Sequence, residues 1–190
     1  LRRFGVDVEP YVPSRLDEGH GLSLAAIEAA VAAGKPVIVT VDCGTSSRDE
    51  VAIAMERGID VLITDHHRVP PVLPPAAAIV NPQRTDSPYP HRLLAGSGVA
   101  FKLAQLLVGE EAADLADLAC IGTVADLAPV LGENRAIARL GLERIRRSAR
   151  PGIAALLAQA AIEPARVDLE TVAFAIAPRL NAAGRIGDAR

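Results

Sequence analysis

Asp42 and Asp65 each close a short apolar, β-branched run, from Val37 to Val41 and from Val61 to Thr64, and the second acid is followed at once by His66 and His67. Runs of this kind make strands buried on both faces, and the segment between them reads as a helix. A strand, helix, strand crossover sets the two strands parallel. Both acids then reach one carboxyl edge, where open α/β sheets hold their ligands. Neighbouring strands lie about 4.8 Å apart, so two carboxylates there repel unless a cation sits between them, and imidazole nitrogen suits a transition metal. A metal site is one reading. The other is that both acids cap the turns that follow and the histidines are a solvated pair.

Composition limits the rest. The 190 residues are half apolar but only 3% aromatic, so the apolar mass is Ala, Val, Leu and Ile. Such a mixture suits helices packed on a parallel sheet better than a stacking platform for nucleic acid, and single-strand recognition by aromatic stacking is not expected. No apolar run is long enough to span a bilayer, and no signal peptide is visible, which predicts a protein without a membrane partner. Cys43 and Cys120 are too few for a disulfide framework and point to a reducing compartment. Cys43 adjoins Asp42 and reads as a small packed residue under the site rather than a soft ligand. A net charge of −3 leaves nucleic-acid binding to a local cationic groove or to bound metal.

The elements that must carry these residues follow from pattern. Val6 to Val12 reads as a first strand, and a helix from Leu24, capped by Ser23, stops at Gly34. A second helix spans Arg48 to Arg57, with Thr45 or Ser46 as its cap, and ends at Gly58. The prolines from Pro70 to Pro75 make a loop, and Ala76 to Val80 is another short strand. Helices are predicted after Gly98 through Val108, then over 111–125, 134–148, 153–161 and 169–176. The fold class is therefore α/β, a parallel sheet flanked by helices and followed by a mostly helical part, with the change near residue 95.

Three further features could take part in chemistry. Asp126 closes an apolar helix just before Pro129, where an acid opposes the negative end of the helix dipole; a metal ion would relieve it, and a mismatched helix-end acid is the alternative. The segment 178–185 reads as a turn that sets Arg179, Asn181, Gly184 and Arg185 together, and Arg15 stands in an earlier turn. Arginine's planar fork matches phosphate oxygens, although either turn could be a salt-bridged loop. The arginines from Arg135 to Arg150 read first as a solvated helix face.

With these residues in view, the chain resembles a known family. Val41-Asp-Cys-Gly44, Thr64-Asp-His-His67, Asn81-Pro82, the run from Leu94 to Lys102, Gly122-Thr-Val-Ala-Asp-Leu127 and the run from Pro178 to Arg185 are similar in order and spacing to RecJ. Asp-His-His alone would point only to the DHH phosphoesterase superfamily. The resemblance covers the chain from about Tyr11 to its last residue, with residues 1–94 the α/β part and 95–190 the helical part of one DHH domain. It implies a bacterial, cytoplasmic exonuclease that degrades single-stranded DNA from the 5′ end in recombination and repair, with two Mn²⁺ or Mg²⁺ ions. By motif, Asp42, His66 and Asp126 would hold metal, and His67 would face the scissile phosphate as ligand or transition-state partner. Asp65 would fix the histidine tautomer from behind. Arg15, Arg179, Asn181 and Arg185 would contact substrate, and a single-strand-binding protein or a helicase would be a partner.

One departure from the family pattern carries an expectation of its own. The family's Asp-rich first motif would precede Leu1 and its DHHA1 domain would follow Arg190, so these 190 residues alone are expected to bind metal weakly and cleave poorly. Two rivals remain open. One is a DHH phosphatase or phosphodiesterase acting on pyrophosphate or small nucleotides. The other is a non-catalytic replication scaffold, which would be expected to have lost some of Asp42, His66, His67 and Asp126.

Overall fold

The computed structural model of the chain describes residues 1–13, 18–148 and 150–186, with residues 148 and 183–186 described by backbone alone. Among them, three parallel strands form one sheet in the order β1 (Val37–Val41), β2 (Asp60–Thr64), β3 (Ala78–Val80). The register pairs Val41 with Thr64 and Thr64 with Val80. All three strands therefore end at one edge, and Asp42 and Asp65 each stand one residue past it. Helix α2 (Arg48–Glu56) makes the crossover from β1 to β2, and α1 (Leu24–Ala32) leads into β1. Ile27 and Val51 from these helices pack with Val61 and Ile63 of β2 in a core beneath the sheet.

Local rules account for most boundaries. Ser23 accepts a hydrogen bond from the Ala26 amide at 3.1 Å, which caps α1. The cap of α2 differs from the expected Thr45 or Ser46. It falls on Ser47, whose hydroxyl accepts instead from the Leu22 amide at 3.2 Å and ties the start of α2 to the segment that leads into α1. Thr45 is taken by Asp65, as described below.

Two strand expectations are corrected. Among the described residues Val6 to Val12 pairs with no strand, and both of these valines are exposed. Pro10 removes an amide donor from that stretch, and Pro13 follows it, so it has little to offer a ladder. β1 is also not buried on both faces. It is an edge strand whose Val37, Val39 and Val41 are exposed, because α1 and α2 cover only the other face.

The helical part holds α3 (Gly96–Val108), a 3₁₀ segment (Gly109–Leu115), α4 (Ala116–Ala125), α5 (Gly132–Ser148) and α6 (Pro151–Gln159). A short α7 (Leu169–Thr171) runs through a π-helical stretch (Val172–Ile176) into α8 (Ala177–Ile186). The predicted turn at 178–185 is thus a helix. Proline normally breaks a helix, because its ring meets the carbonyl four residues back and its nitrogen has no proton. Here Pro178 follows directly on the wider π stretch, which relieves that conflict, so the helix continues past it.

Glycine sets the approach of α4 to its neighbours. A Cβ on Gly141 of α5 would lie 2.2 Å from Cys120 Cβ and 2.4 Å from the Ala116 carbonyl oxygen, both on α4. Cys120 is fully buried, and burial pushes its thiol up to about 12, which marks it as a packing residue. The arginines 144 to 150 are likewise structural: Arg144 pairs with Asp114, Arg147 with Glu143, Arg150 with the buried Asp117, and Arg146 donates to the Val167 carbonyl. Gly141→Ala is expected to cost about 2 kcal/mol or more by overpacking. Gly152→Ala, on α6 with nothing within 4 Å of the added carbon, should be neutral or stabilise by about 0.5–1 kcal/mol. Urea unfolding of the two variants beside the parent separates these outcomes.

Candidate metal centre

Asp65 is the organising group at the sheet edge. Its carboxylate is buried, with 2% of the side chain exposed. One oxygen accepts from the Thr45 amide at 2.9 Å, and the other from the His66 and His67 amides at 2.7 and 3.2 Å. That second oxygen also meets His67 Nδ1 at 2.7 Å. Burial by itself would raise the carboxyl, but the donors from Thr45 and His67 outweigh it and hold it at about 2. Asp65 is therefore a fixed anion facing inward, and the His67 ring is oriented by it.

Asp42 has the opposite environment. More than half of its side chain is exposed, and its backbone is left-handed at φ 65°, a region aspartate tolerates better than most residues. The Asp42 amide still donates to the Thr64 carbonyl at 2.9 Å, so the turn away from the sheet happens at this residue. Gly96, the first residue of α3, makes room for it. A Cβ there would lie 2.2 Å from Asp42 Oδ1.

His66 joins the sheet edge to the helical part. Its Nε2 lies 3.0 Å from Asp42 Oδ1 and 3.6 Å from Asp126 Oδ2. The alignment makes neither contact a sound hydrogen bond, and the nitrogen is buried without one. Asp42, His66 and His67 bring one ligand atom each within 4.8 Å of one another, with Asp126 beside His66. A buried imidazole nitrogen left without a hydrogen bond, facing two carboxylates, fits a divalent cation better than it fits a closed protein network.

Asp126 arrives from α4 as its C-cap. Burial raises its carboxyl above the usual range, His66 opposes that shift and Asp42 adds to it. α4 is set against α3 where Gly122 meets Ser97; a Cβ at Gly122 would come within 2.5 Å of the Ser97 side chain. Cys43 has its thiol pushed up, first by burial and then by Asp65 and Asp42, and its sulfur is not among the ligand atoms that Asp42, His66 and His67 bring together.

The arginine-bearing segments are placed differently from the acids. Arg15 lies outside the described residues, as does the side chain of Arg185. Arg179 is exposed on α8 and donates to the Ala175 carbonyl at 2.6 Å. Asn181 lines a cleft with Leu127, next to Asp126.

Asn81 belongs to the site although sequence reasoning assigned it no role. It is buried, donates to Thr45 Oγ1 at 3.1 Å and to the His67 carbonyl at 2.9 Å, and accepts from the Gln83 amide at 2.9 Å. The signal available in the sequence was its place at the end of β3, one residue past the strand, which matches the positions of Asp42 and Asp65.

Two pH effects on the metal-free protein follow. Asp42 first, and Asp126 with it, raise His66 above its ordinary value of 6.5. The stability this gives is complete below 6.5 and is lost as pH rises through the raised value, so His66→Gln should flatten the decline in melting temperature across that window. Asp65 is depressed from 3.8 to about 2. Its contribution, about 2 kcal/mol, is complete above the higher value and is lost as pH falls through the lower. Asp65→Asn should remove a similar amount at neutral pH in urea unfolding.

The model of the DHH family, N-terminal domain, matches residues 1–123. The chain is 47% identical over 189 residues to the single-stranded-DNA-specific exonuclease RecJ of Bacillus subtilis, covering 100% of this chain and 24% of that protein. It is 38% identical over 193 residues to the RecJ of Thermus thermophilus, covering 100% of this chain and 28% of that one. A crystal structure of exonuclease RecJ bound to manganese superposes with a TM-score of 0.84 at 36% identity, covering 99% of this chain and 48% of the other. Thermus thermophilus RecJ in complex with Mg²⁺ superposes at 0.57 with 31% identity, over 86% of this chain and 24% of that one. The chain thus spans about a quarter of the length of these curated relatives. Its match to the family model over residues 1–123, with the sheet-edge acids and paired histidines inside that range, shows that the chain belongs to the DHH family.

Proposed function

We propose that this chain carries metal-binding residues of an enzyme that hydrolyses phosphodiester bonds in single-stranded DNA from the 5′ end. The observation that supports this reading most is the convergence of Asp42, His66 and His67 within 4.8 Å, with Asp126 next to His66. Two Mn²⁺ or Mg²⁺ ions bound there would activate a water and neutralise charge on the departing 3′ oxygen. Relatives named as single-stranded-DNA-specific exonucleases, and solved RecJ structures holding manganese or magnesium, support the substrate and the ions.

The residues divide the work by environment. Asp42, His66 and Asp126 would hold metal. His67, with Nδ1 engaged by Asp65, has its other ring nitrogen free to face the scissile phosphate or a metal. Asp65 fixes that tautomer, and Asn81 holds the His67 backbone. Arg15, Asn181 and Arg185 are proposed to meet the substrate. Arg179 would first have to release the Ala175 carbonyl to reach a phosphate. Residues 1–94 and 95–190 act as two parts of one domain on this reading, because Asp42, His66 and His67 come from the first and Asp126 from the second. Action in a bacterial cytoplasm, and cooperation with a single-strand-binding protein or a helicase, rest on the resemblance alone.

The small-nucleotide reading uses the same centre, and competition between a long single strand and a dinucleotide discriminates it. The non-catalytic scaffold is disfavoured by the presence of all four of Asp42, His66, His67 and Asp126.

Octahedral ions take about six ligands each, and these four side chains fill only a few of those positions. The 190 residues alone are therefore expected to bind Mn²⁺ weakly in calorimetry and to release nucleotides slowly from 5′-phosphorylated single strands. Rapid turnover by them would refute this. In a longer protein that carries the domain, Asp42→Ala should abolish Mn²⁺-dependent cleavage while strand binding persists. Mn²⁺ affinity should also rise with pH through the raised value of His66, because metal must displace its proton.

A further inference from the structure

A cleft of about 400 Å³ opens between the end of α4 and the π-helical stretch with α8, lined by Ala125 and Leu127, the residues on either side of Asp126 in the chain. Its lining is apolar, with Val124, Leu127, Ala173 and Phe174, and it has one amide, Asn181. Two of its side chains are far more exposed than packing would leave them: Phe174 at 77% and Leu127 at 86%.

The backbone shows how both are presented. The Leu127 amide donates to the Val124 carbonyl at 3.1 Å and the Ala128 amide to the Thr123 carbonyl at 3.2 Å, which is a Schellman ending to α4 with Leu127 at its left-handed position, φ 55°. Glycine is the usual residue there, and a leucine costs about 1 kcal/mol or more of strain. The strained residue then turns its side chain into solvent rather than into the core. Phe174 lies in the middle of the π-helical stretch, a distortion that recurs at functional sites. Its neighbours Val172 and Ile176 are buried, so the ring faces outward from an anchored segment.

We infer that this cleft seats a nucleobase of the single strand next to the cleaved bond, with Phe174 as the stacking surface, Leu127 as the opposite wall and the Asn181 amide at the base edge. The inference rests on the DNA reading above and deepens it. An exposed aromatic ring offers a face to any base, and an amide offers both a donor and an acceptor. The cleft's adjacency to Asp126 favours a base over a protein segment as occupant, because a strand whose phosphate lies at the acids must place its neighbouring bases within a few ångströms.

The test uses single strands with 2-aminopurine at the 5′-terminal positions, with Ca²⁺ in place of Mn²⁺ to keep them intact. A longer protein that carries the domain should quench the fluorescence on binding, and anisotropy of a dye on the far end reports binding itself. Phe174→Ala should abolish the quench and weaken binding by about 5- to 100-fold, whereas Phe174→Trp should restore both. Circular dichroism of each variant should be unchanged, because the ring is exposed. Binding with no quench, or a quench that survives Phe174→Ala, would overturn the base seat and leave the cleft to a protein segment. Absence of strand binding would overturn it as well. The metal reading fails separately, by cleavage that survives Asp42→Ala.

Discussion

Parallel pairing of β1 with β2, with Val41 opposite Thr64, delivers two carboxylates to one sheet edge, where they would repel unless their surroundings differ. The fold resolves this by giving each a separate fate. Asp65 is turned inward and neutralised in effect by four donors, from Thr45, His66 and His67. Asp42 is turned outward through a left-handed residue and left open to solvent and to a cation. The rest of the centre depends on this division. Fixing Asp65 orients His67, and exposing Asp42 places it beside His66.

The helical part then has one geometric duty, which is to bring Asp126 to His66. It does so by close approach at glycine. Gly96 lets the start of α3 reach Asp42, Gly122 lets α4 lie on Ser97 of α3, and Gly141 lets α5 lie on α4. None of these positions admits a Cβ without movement of a neighbour. Packing, rather than any direct bond, therefore carries the position of the third acid, and that acid, partly exposed at a helix C-terminus, is short of positive charge. A cation at the centre would answer Asp126 and the buried His66 nitrogen together.

The same helix end shows how structure and chemistry can share strain. α4 stops at Asp126 with a leucine where glycine would be easier, and that leucine opens onto the cleft shared with Phe174. Low aromatic content argued against base stacking when the chain was read as a composition. A single phenylalanine held outward by a π-helical stretch would suffice for the base seat inferred above, because stacking needs a ring in the right place and not many of them.

Much was legible beforehand for reasons of period and local chemistry. β-branched runs ending in acids gave β1 and β2, Ser23 gave a helix start, and the parallel crossover gave a shared edge for Asp42 and Asp65. Asp126 could be singled out by its mismatch with the helix dipole. What sequence could not supply were facts about neighbours. Among the described residues, Val6 to Val12 had the look of a strand but pairs with none, and no element covers the outer face of β1. Pro178 signalled a turn by its own chemistry, yet the π-helical residues before it allow a helix. Asn81 stood out only by its place one residue past a strand, and its role was hidden because its partners at Thr45 and His67 lie 36 and 14 residues away. Residue types and spacing, then, determined which groups could bind a cation. Tertiary packing decided which of them meet, because burial, hydrogen-bond partners and the approach of α4 to the sheet edge arise only when distant segments are in contact.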